Sequence, residues 1–373
     1  MKMRKFGFMA AYFGASAVYQ GYMALFYGQI GLNRAQIGMV NAAAALSALL
    51  VQPLWGIAGD RVKKRRLLLC ISCAAASLIL PLAFAGHALW YQVFAAAAFY
   101  AFFSALLPLG DAIVLSSPAR DAYGKIRLSG GISYAVFSLV GGWIAGGRSV
   151  NGAVWTVSIL LALSALCALS LPEVTEKRPK GRLITALKDK NLRAMLLFML
   201  PSQISMGVFY SFFPLHFMNL AGASHFLLGA ANLIASLAEI PYLLFSDRLF
   251  RRYGAEKIVP AATFALAVRF ALLGVGRNIW ISMFSQLLNG VGYIAVAVSM
   301  AKYVSVHLPD NAAGGQALIS LMFYGAARLT GSLLGGFIAQ KISIPAVFML
   351  SSALCVLGFA CFMVFAARKK RKI

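Results

Sequence analysis

Two acidic residues of this chain lie in surroundings where carboxylates are rare. Of its ten aspartates and glutamates, only Asp111 and Glu239 fall inside long apolar stretches, and the others lie in or beside polar segments. A charge at the centre of a bilayer costs about 2.5–3.5 kcal/mol on insertion scales, so such residues are usually functional. Burial favours the protonated carboxyl and pairing with arginine favours the ionised form, which makes these two side chains the credible proton carriers.

Three arginines share the apolar stretches: Arg127, Arg269 and Arg328. Counting residues along helices places Glu239, Arg269 and Arg328 near mid-depth, while Asp111 and Arg127 flank a short loop and could face each other. For the pairs Asp111/Arg127 and Glu239/Arg269, two interpretations stay open: a structural salt bridge, or a role in substrate binding or gating.

The balance of these charges bears on the substrate. Three arginines against two acids leave one excess positive charge, which a monoanionic substrate could neutralise. We therefore favour a small carboxylate, with aromatic ones among the candidates, over a neutral sugar. The alternative is that Arg328 contacts lipid headgroups or backbone carbonyls.

The elements that carry these residues are predicted to be transmembrane helices. The chain is 61% hydrophobic and 12% charged, with a mean hydropathy of +0.80, which excludes a soluble protein. Apolar runs of about 20 residues recur throughout, and each can cross a bilayer as a helix. The predicted spans are 6–28, 36–58, 67–87, 89–115, 127–147, 152–171, 194–218, 225–246, 257–276, 279–305, 314–338 and 345–367.

The 34 lysines and arginines set the predicted orientation. Most of them fall on alternate loops and at the two termini, and the largest cluster lies between the sixth and seventh spans. By the positive-inside rule, this pattern predicts a multi-pass protein of the cytoplasmic (inner) membrane with both termini cytoplasmic. Trp90, Trp155 and Trp280 open even-numbered spans at the opposite face, as interfacial aromatics do. The net charge of +24 is thus explained by topology, and we expect no nucleic acid partner.

An internal repeat divides the chain in two. Asp60-Arg61 and the basic residues after span 2 recur as Asp247-Arg248 and further arginines after span 8, and a Ser-x-x-Gly-Gly motif ends at Gly142 in span 5 and at Gly336 in span 11. We predict two six-helix pseudo-symmetric halves, 1–171 and 194–373, joined by a cytoplasmic linker, 172–193. Parallel repeats around a midplane site are typical of transporters.

The first copy of this repeat also carries a family resemblance. Gly56-x-x-x-Asp60-Arg61-x-x-x-Arg65 resembles the loop 2–3 signature of the major facilitator superfamily, and twelve spans in two halves extend the resemblance to the whole chain. The resemblance implies transport by alternating access. Acid and arginine residues in this turn can form a latch in one conformation that breaks in the other. In the second copy, Asp247 and Arg248 are kept but Leu243 replaces the first glycine, so this copy departs from the signature.

Within that superfamily, the chain resembles the lactose permease-like group and related phenylpropionate and nucleoside proton symporters. The matching segments are Pro108–Asp111, Tyr123–Gly130, Glu239-Ile-Pro241, Arg269 and Gln286-Leu-Leu-Asn289-Gly290. In the sugar permease of the group, a span-4 carboxylate and a span-5 arginine hold substrate, and a span-9 arginine works in proton coupling with a histidine and a glutamate in span 10. Asp111, Arg127 and Arg269 match this pattern. Asn289 and Gly292 occupy the places of the histidine and the glutamate, so that relay does not carry over.

Aromatic residues of the matching spans 1 and 7 are candidates for stacking on substrate. They are Tyr19, Tyr22, Tyr210 and Phe213. Spans 1 and 7 line the cavity in the superfamily that the chain resembles, and ordinary helix packing is the alternative for each ring.

The sequence gives little support for an enzyme, a metalloprotein or an ATP-driven transporter. No span holds a nucleophile with a base or a metal cluster, so we expect no enzyme, no catalytic or metal site and no cofactor. Cys70-x-x-Cys73 lacks a second pair or a nearby histidine, and we interpret the five cysteines as small apolar side chains. There is no phosphate-binding loop to drive transport with ATP.

We therefore expect an all-α secondary active transporter that carries a small carboxylate with protons. The alternatives are a sugar or nucleoside proton symporter, or a drug or metabolite exporter. The expected partners are a small-molecule substrate, protons and anionic lipid headgroups, and the expected state is a monomer.

Overall fold

The computed structural model describes residues 2–61, 64–115, 123–147, 149–173 and 183–370. Across these ranges the chain is helical, with short connections and no strand. Eleven of the helical runs in the described part are long and apolar enough to cross a membrane, and the first helix has a similar length.

The first half of the chain forms six long helices. They are α1 (Lys2–Gln29), α2 (Arg34–Arg61), α3 (Arg65–Ile79, extended by a 3-10 turn, Leu80–Phe84), α4 (Leu89–Leu115), α5 (Tyr123–Gly147) and α6 (Asn151–Leu169).

The second half begins with a short helix inside the stretch predicted as a linker. It continues with helices that correspond to the last six predicted spans. The elements are α7 (Leu183–Lys188), α8 (Lys190–Met218), α9 (His225–Tyr253), α10 (Ala255–Val275), α11 (Ile279–Ser285), α12 (Ala295–His307), α13 (Ala312–Ser320), α14 (Arg328–Lys341) and α15 (Ile344–Lys370).

Two of the predicted spans contain wide helical turns that the sequence did not predict. A π segment, Gly290–Ile294, lies between α11 and α12, and a second, Leu321–Ala327, lies between α13 and α14. π turns are rare and occur often at functional sites.

The helices group into two compact units. One comprises residues 1–178 together with 223–233, and the other comprises 179–222 together with 234–373. In the first unit α1 packs on α5 and α6, and α3 packs on α4 and α6. In the second unit α8 packs on α14 and α15, and α10 packs on α12 and α15. The same pairing order therefore occurs within both units.

Close helix contacts in the second unit rest on small residues. A Cβ on Gly331 of α14 would overlap the backbone oxygen of Ile204, and one on Gly207 of α8 would lie 2.9 Å from the oxygen of Ala327. One turn further along, the hydroxyls of Ser211 and Ser332 are 2.7 Å apart. Small residues let helix backbones approach closely in membranes. This contact fixes α14, which begins at Arg328, against α8.

A similar contact in the first unit involves Tyr22 of α1. Its buried hydroxyl donates to the backbone oxygen of Ser138 in α5 at 2.8 Å and lies 3.3 Å from that of His225 at the start of α9. Gly142 of α5 has no room for a Cβ beside the His225 oxygen, and Gly229 of α9 has none beside the Ser138 oxygen. The phenol thus bridges two backbone carbonyls at a tight crossing of α5 with the first turns of α9.

Candidate functional site

An amide bridge joins the acid and the arginine that the sequence pairs in the second unit. Asn289, the last residue before the first π segment, donates from Nδ2 to Glu239 Oε1 at 2.8 Å. Its Oδ1 accepts from Nη1 of Arg269 at 2.7 Å. Glu239 and Arg269 therefore act on each other through an intervening amide, whereas the sequence indicated a direct pair.

Arg269 is completely buried in the described structure, with 0% of its surface exposed. Its Nη2 donates to Oε1 of Gln286 at 2.6 Å, and its guanidinium carbon lies 4.1 Å from the centre of the Phe209 ring. Its Nε is buried without a hydrogen-bond partner among the described residues. Neutral amides and an aromatic face thus replace much of the hydration that burial removes.

A second arginine of this unit is held by tyrosines. The guanidinium carbon of Arg328 lies 4.3 Å from the ring centre of Tyr210 on α8 and 5.5 Å from that of Tyr324. The hydroxyls of Tyr324 and Tyr293 are 3.4 Å apart, and the Tyr293 ring meets Tyr210 edge to face at 6.2 Å. Cation–π contacts of this kind orient a guanidinium.

Backbone geometry brings these groups together. Tyr293 lies within the first π segment, Tyr324 within the second, and Arg328 directly follows the second. At Gly290 a Cβ would overlap the backbone oxygen of Ala238, so the first π segment touches α9 next to Glu239. The two wide turns therefore position the polar side chains of this unit.

In the first unit the structure places Asp111 and Arg127 together. Oδ1 of Asp111 lies 3.5 Å from Nη1 of Arg127, and the side chains are 21% and 38% exposed, respectively. The guanidinium carbon of Arg127 also lies 4.7 Å from the centre of the Phe13 ring. Because both side chains are partly exposed, each can give up this ion pair and bind a different partner.

The four candidate aromatic rings separate into two groups. Tyr210 contacts Arg328, as described. Tyr19, Tyr22 and Phe213 are buried in packing contacts within their units, with Tyr19 stacked on Phe99 at 4.9 Å and Phe213 on Phe209 at 4.6 Å. These three rings therefore make packing contacts, and stacking of a substrate on them stays a prediction.

The first latch segment is described only in part. The side chains of Asp60 and Arg61 lie outside the described residues, although α2 runs to Arg61. Gly56 is exposed on α2, with open space around its Cα. Arg65 is buried at the start of α3, and its Nε donates to the backbone oxygen of Gly59 at 2.9 Å.

The second latch segment contains an ion pair that the sequence did not predict. Asp247 Oδ1 lies 2.7 Å from Nζ of Lys302 on α12, and the same ammonium donates to Oγ of Ser246 at 2.9 Å. Arg248 is exposed on α9. A surface cleft of about 230 Å³ lies beside this pair, lined by Phe250, Arg251 and other residues.

Three aromatic residues of these clusters were not predicted: Phe13, Tyr293 and Tyr324. Each of them contacts an arginine or a tyrosine that was predicted. Aromatic residues are common in membrane spans, however, and nothing in the spacing of these residues distinguishes them. Among the described residues no group of three His, Cys, Asp or Glu side chains could hold a metal ion.

Comparison with known proteins identifies several similar transporters. A family model described as the MFS_1 like family matches residues 3–350. Maltose permease of Geobacillus stearothermophilus is 25% identical over 86% of this chain and 83% of the permease. Multidrug resistance protein MdtG of Serratia proteamaculans (strain 568) is 24% identical over 82% of this chain and 78% of that protein.

Solved structures show the same fold. The nucleoside transporter NupG matches with a TM-score of 0.84 at 17% identity, over 97% of this chain and 98% of that one. A bacterial homologue of the human lysosomal transporter Spinster matches with a TM-score of 0.75 at 12% identity, over 97% and 95% of the two chains. The all-α membrane fold predicted from the sequence is confirmed.

Proposed function

Because the chain belongs to the MFS_1 like family of major facilitator transporters, we propose that it carries a small organic carboxylate together with a proton. The chain is a many-span integral membrane transporter, and members of its family are not enzymes. The coupling ion, the substrate class and the residues involved are our proposal.

One observation carries the proposal: the second unit holds two arginines and one acid in one cluster, whose two parts meet where the rings of Phe209 and Tyr210 contact edge to face, 5.7 Å between their centres. Glu239 reaches Arg269 through Asn289, and Arg328 lies against the ring of Tyr210. With Glu239 ionised, this cluster has a net charge of one positive unit. Protonation of Glu239 raises the net charge to two positive units, and a bound monoanion returns it to one.

This charge balance couples the two ligands. A proton on Glu239 favours binding of an anion to the cluster, and a bound anion favours the proton by the same factor. When the proton is released, the ionised carboxylate of Glu239 again attracts Arg269, and the affinity of the cluster for the anionic substrate falls. The tyrosine rings around Arg328 add apolar faces against which a substrate ring could stack.

Uptake into right-side-out membrane vesicles under an imposed proton gradient tests the proposal. The probes are labelled phenylpropionate, uridine and maltose, and we expect phenylpropionate to be concentrated until an uncoupler removes the gradient. Glu239→Gln should abolish concentration while exchange of internal for external substrate persists, because exchange needs no net proton movement. Normal concentration by Glu239→Gln would contradict the role of this residue.

Arg328→Lys tests the substrate class. Lysine keeps the charge but loses the planar donors and the tyrosine contacts, so we expect KM for the carboxylate to rise about tenfold or more. An unchanged KM for phenylpropionate, with production of the variant verified, would argue against carboxylate binding at Arg328.

The alternative is proton symport of a nucleoside or a sugar. It is supported by the similarity to maltose permease and to NupG, and by the Tyr293 and Tyr324 hydroxyls, which can hydrogen-bond a neutral polyol. Concentration of uridine or maltose in the same assay would favour it. The similarity to MdtG supports an exporter, which would instead lower the internal level of its substrate.

We also propose that the protein lies in the cytoplasmic membrane with both termini in the cytoplasm and acts as a monomer. The basic loops support this orientation and would contact anionic headgroups. The halves 1–171 and 194–373 and the latch role of Gly56–Arg65 and Asp247-Arg248 are part of the same proposal.

A further inference from the structure

The orientation of the Asn289 amide is determined by its two partners. A guanidinium only donates hydrogen bonds and a carboxylate only accepts them. The amide oxygen must therefore face Arg269, and the amide nitrogen must face Glu239, as the distances of 2.7 Å and 2.8 Å show. A reversed amide would place like atoms against each other at both ends.

The bridge also has little freedom to move. Asn289 is 7% exposed, and its Nδ2 lies 3.4 Å from the backbone oxygen of Ala235 as well. The neighbouring Gly290 touches the backbone oxygen of Ala238 on the same helix as Glu239. The amide is therefore held between α9 and α10 by both its backbone and its hydrogen bonds.

We infer that Asn289 is a positioning residue that keeps the carboxyl of Glu239 one amide away from Arg269 and so leaves it free to take up and release a proton. This inference rests on the proposed function, in which Glu239 carries the proton. A buried carboxylate in direct contact with a guanidinium stays ionised over a wide pH range. The amide of Asn289 weakens the attraction between Glu239 and Arg269 because it holds the two charges apart. The carboxyl of Glu239 then accepts a hydrogen bond from a neutral amide instead of a guanidinium.

Other groups near Glu239 complete its surroundings. Arg269 on α10 and Tyr210 on α8 act on it electrostatically. Arg328 and the tyrosines of the two π segments surround Tyr210. Asn289 is the residue for which the structure shows a hydrogen bond to the carboxyl of Glu239 itself.

Infrared pH titration of the purified full-length protein in lipid tests the inference without any substrate. The band of the protonated Glu239 carboxyl is identified by its loss in Glu239→Gln. Asn289→Asp places a carboxylate on Arg269 and against Glu239 at once. We expect the Glu239 band to persist to a pH about one unit higher than in the wild type, because a like charge replaces the donor.

Gln286→Glu is the matched control. Gln286 accepts from the same guanidinium at 2.6 Å and is also buried, but it donates to Ser282 and Ser285 instead of Glu239. This variant also gives Arg269 a carboxylate, so we expect it to shift the band by less than half as much. Equal shifts in the two variants, or an unshifted band in Asn289→Asp, would overturn the inference.

Asn289→Ala provides a second test should the aspartate variant fold poorly. Alanine suits the helix and removes the amide that separates Glu239 from Arg269, so the Glu239 band should disappear at a lower pH than in the wild type. A midpoint at or above that of the wild type would overturn the inference. The proposed function is judged separately. Normal concentration of substrate by Glu239→Gln would reject proton transport by this residue, whatever the infrared midpoints.

Discussion

At the scale of residues, the two acid–arginine pairs differ in how they meet solvent. Asp111 and Arg127 are partly exposed and 3.5 Å apart, whereas Arg269 is fully buried and reaches Glu239 through Asn289. Partly exposed ion pairs contribute about 0–1 kcal/mol to stability, and loss of one partner of a buried charge costs several times more. Substitutions in the two pairs should therefore have different effects on folding.

We predict that Arg127→Lys lowers the rate of proton-driven uptake about tenfold while the free energy of unfolding falls by less than about 1 kcal/mol. Lysine keeps the charge but cannot reproduce the planar donors or the contact with Phe13. Vesicle uptake and thermal unfolding measure the two quantities.

Arg66→Lys is the control for this prediction. Arg66 forms an ion pair of similar exposure with Glu173, at 3.3 Å, and is not a member of the Asp111/Arg127 pair. It should leave uptake within about twofold of the wild type. If both lysine variants lose uptake equally, or neither does, Asp111 and Arg127 form a structural pair without a role in transport.

At the scale of elements, the spans could be predicted and their irregular turns could not. Apolar runs of about 20 residues fix the existence of the helices, since the bilayer leaves the backbone no other way to satisfy its hydrogen bonds. A π turn needs one extra residue per turn and has no comparable signal in composition. The same limit applies to the site: the depth of Glu239 and Arg269 could be counted, but the insertion of Asn289 depends on the wide turn that follows it.

Gly290→Ala tests whether the first π segment depends on close contact with α9. A Cβ there would meet the backbone oxygen of Ala238, which cannot move aside as a side chain could. We expect a loss of about 1–3 kcal/mol in the free energy of unfolding, seen as a lower melting temperature, together with loss of uptake.

Gly131→Ala is the matched control. Gly131 is an exposed helical glycine of α5 with open space around its Cα. Alanine there should leave melting unchanged or raise it slightly, because glycine is the poorer helix former by about 1 kcal/mol. A Gly290→Ala protein that melts and transports like the wild type would show that the tight contact is dispensable.

At the scale of the whole molecule, charge distribution and repeat structure are the informative features. The two units share the same internal helix pairing, as the repeated motifs indicated, although residues 223–233 of the second half group with the first unit. Nine of these eleven residues lie in α9, and no sequence pattern distinguishes them from the rest of that helix. Their grouping depends on Tyr22 and on glycines at the crossing with α5.

Single-cysteine labelling tests the predicted orientation. In a chain whose five cysteines are replaced, we expect Arg277→Cys and Lys341→Cys to react with a membrane-impermeant maleimide in right-side-out vesicles. Lys64→Cys and Arg251→Cys should react only after the vesicles are opened, because the positive-inside rule places them in the cytoplasm. All four positions are exposed on the protein surface. The reverse labelling pattern would invert the topology.

The wide turns at Gly290–Ile294 and Leu321–Ala327 each hold one residue more than an α-helical turn does. A π turn can move along its helix, because the extra residue is transferred to the neighbouring turn when one backbone hydrogen bond is exchanged for another. Each such step swings the side chains it passes by about 100° around the axis while the helix ends stay still. Asn289 and Arg328 border these turns. A change of register within one helix would therefore rotate their side chains away from their present partners, or back towards them, without displacement of either unit.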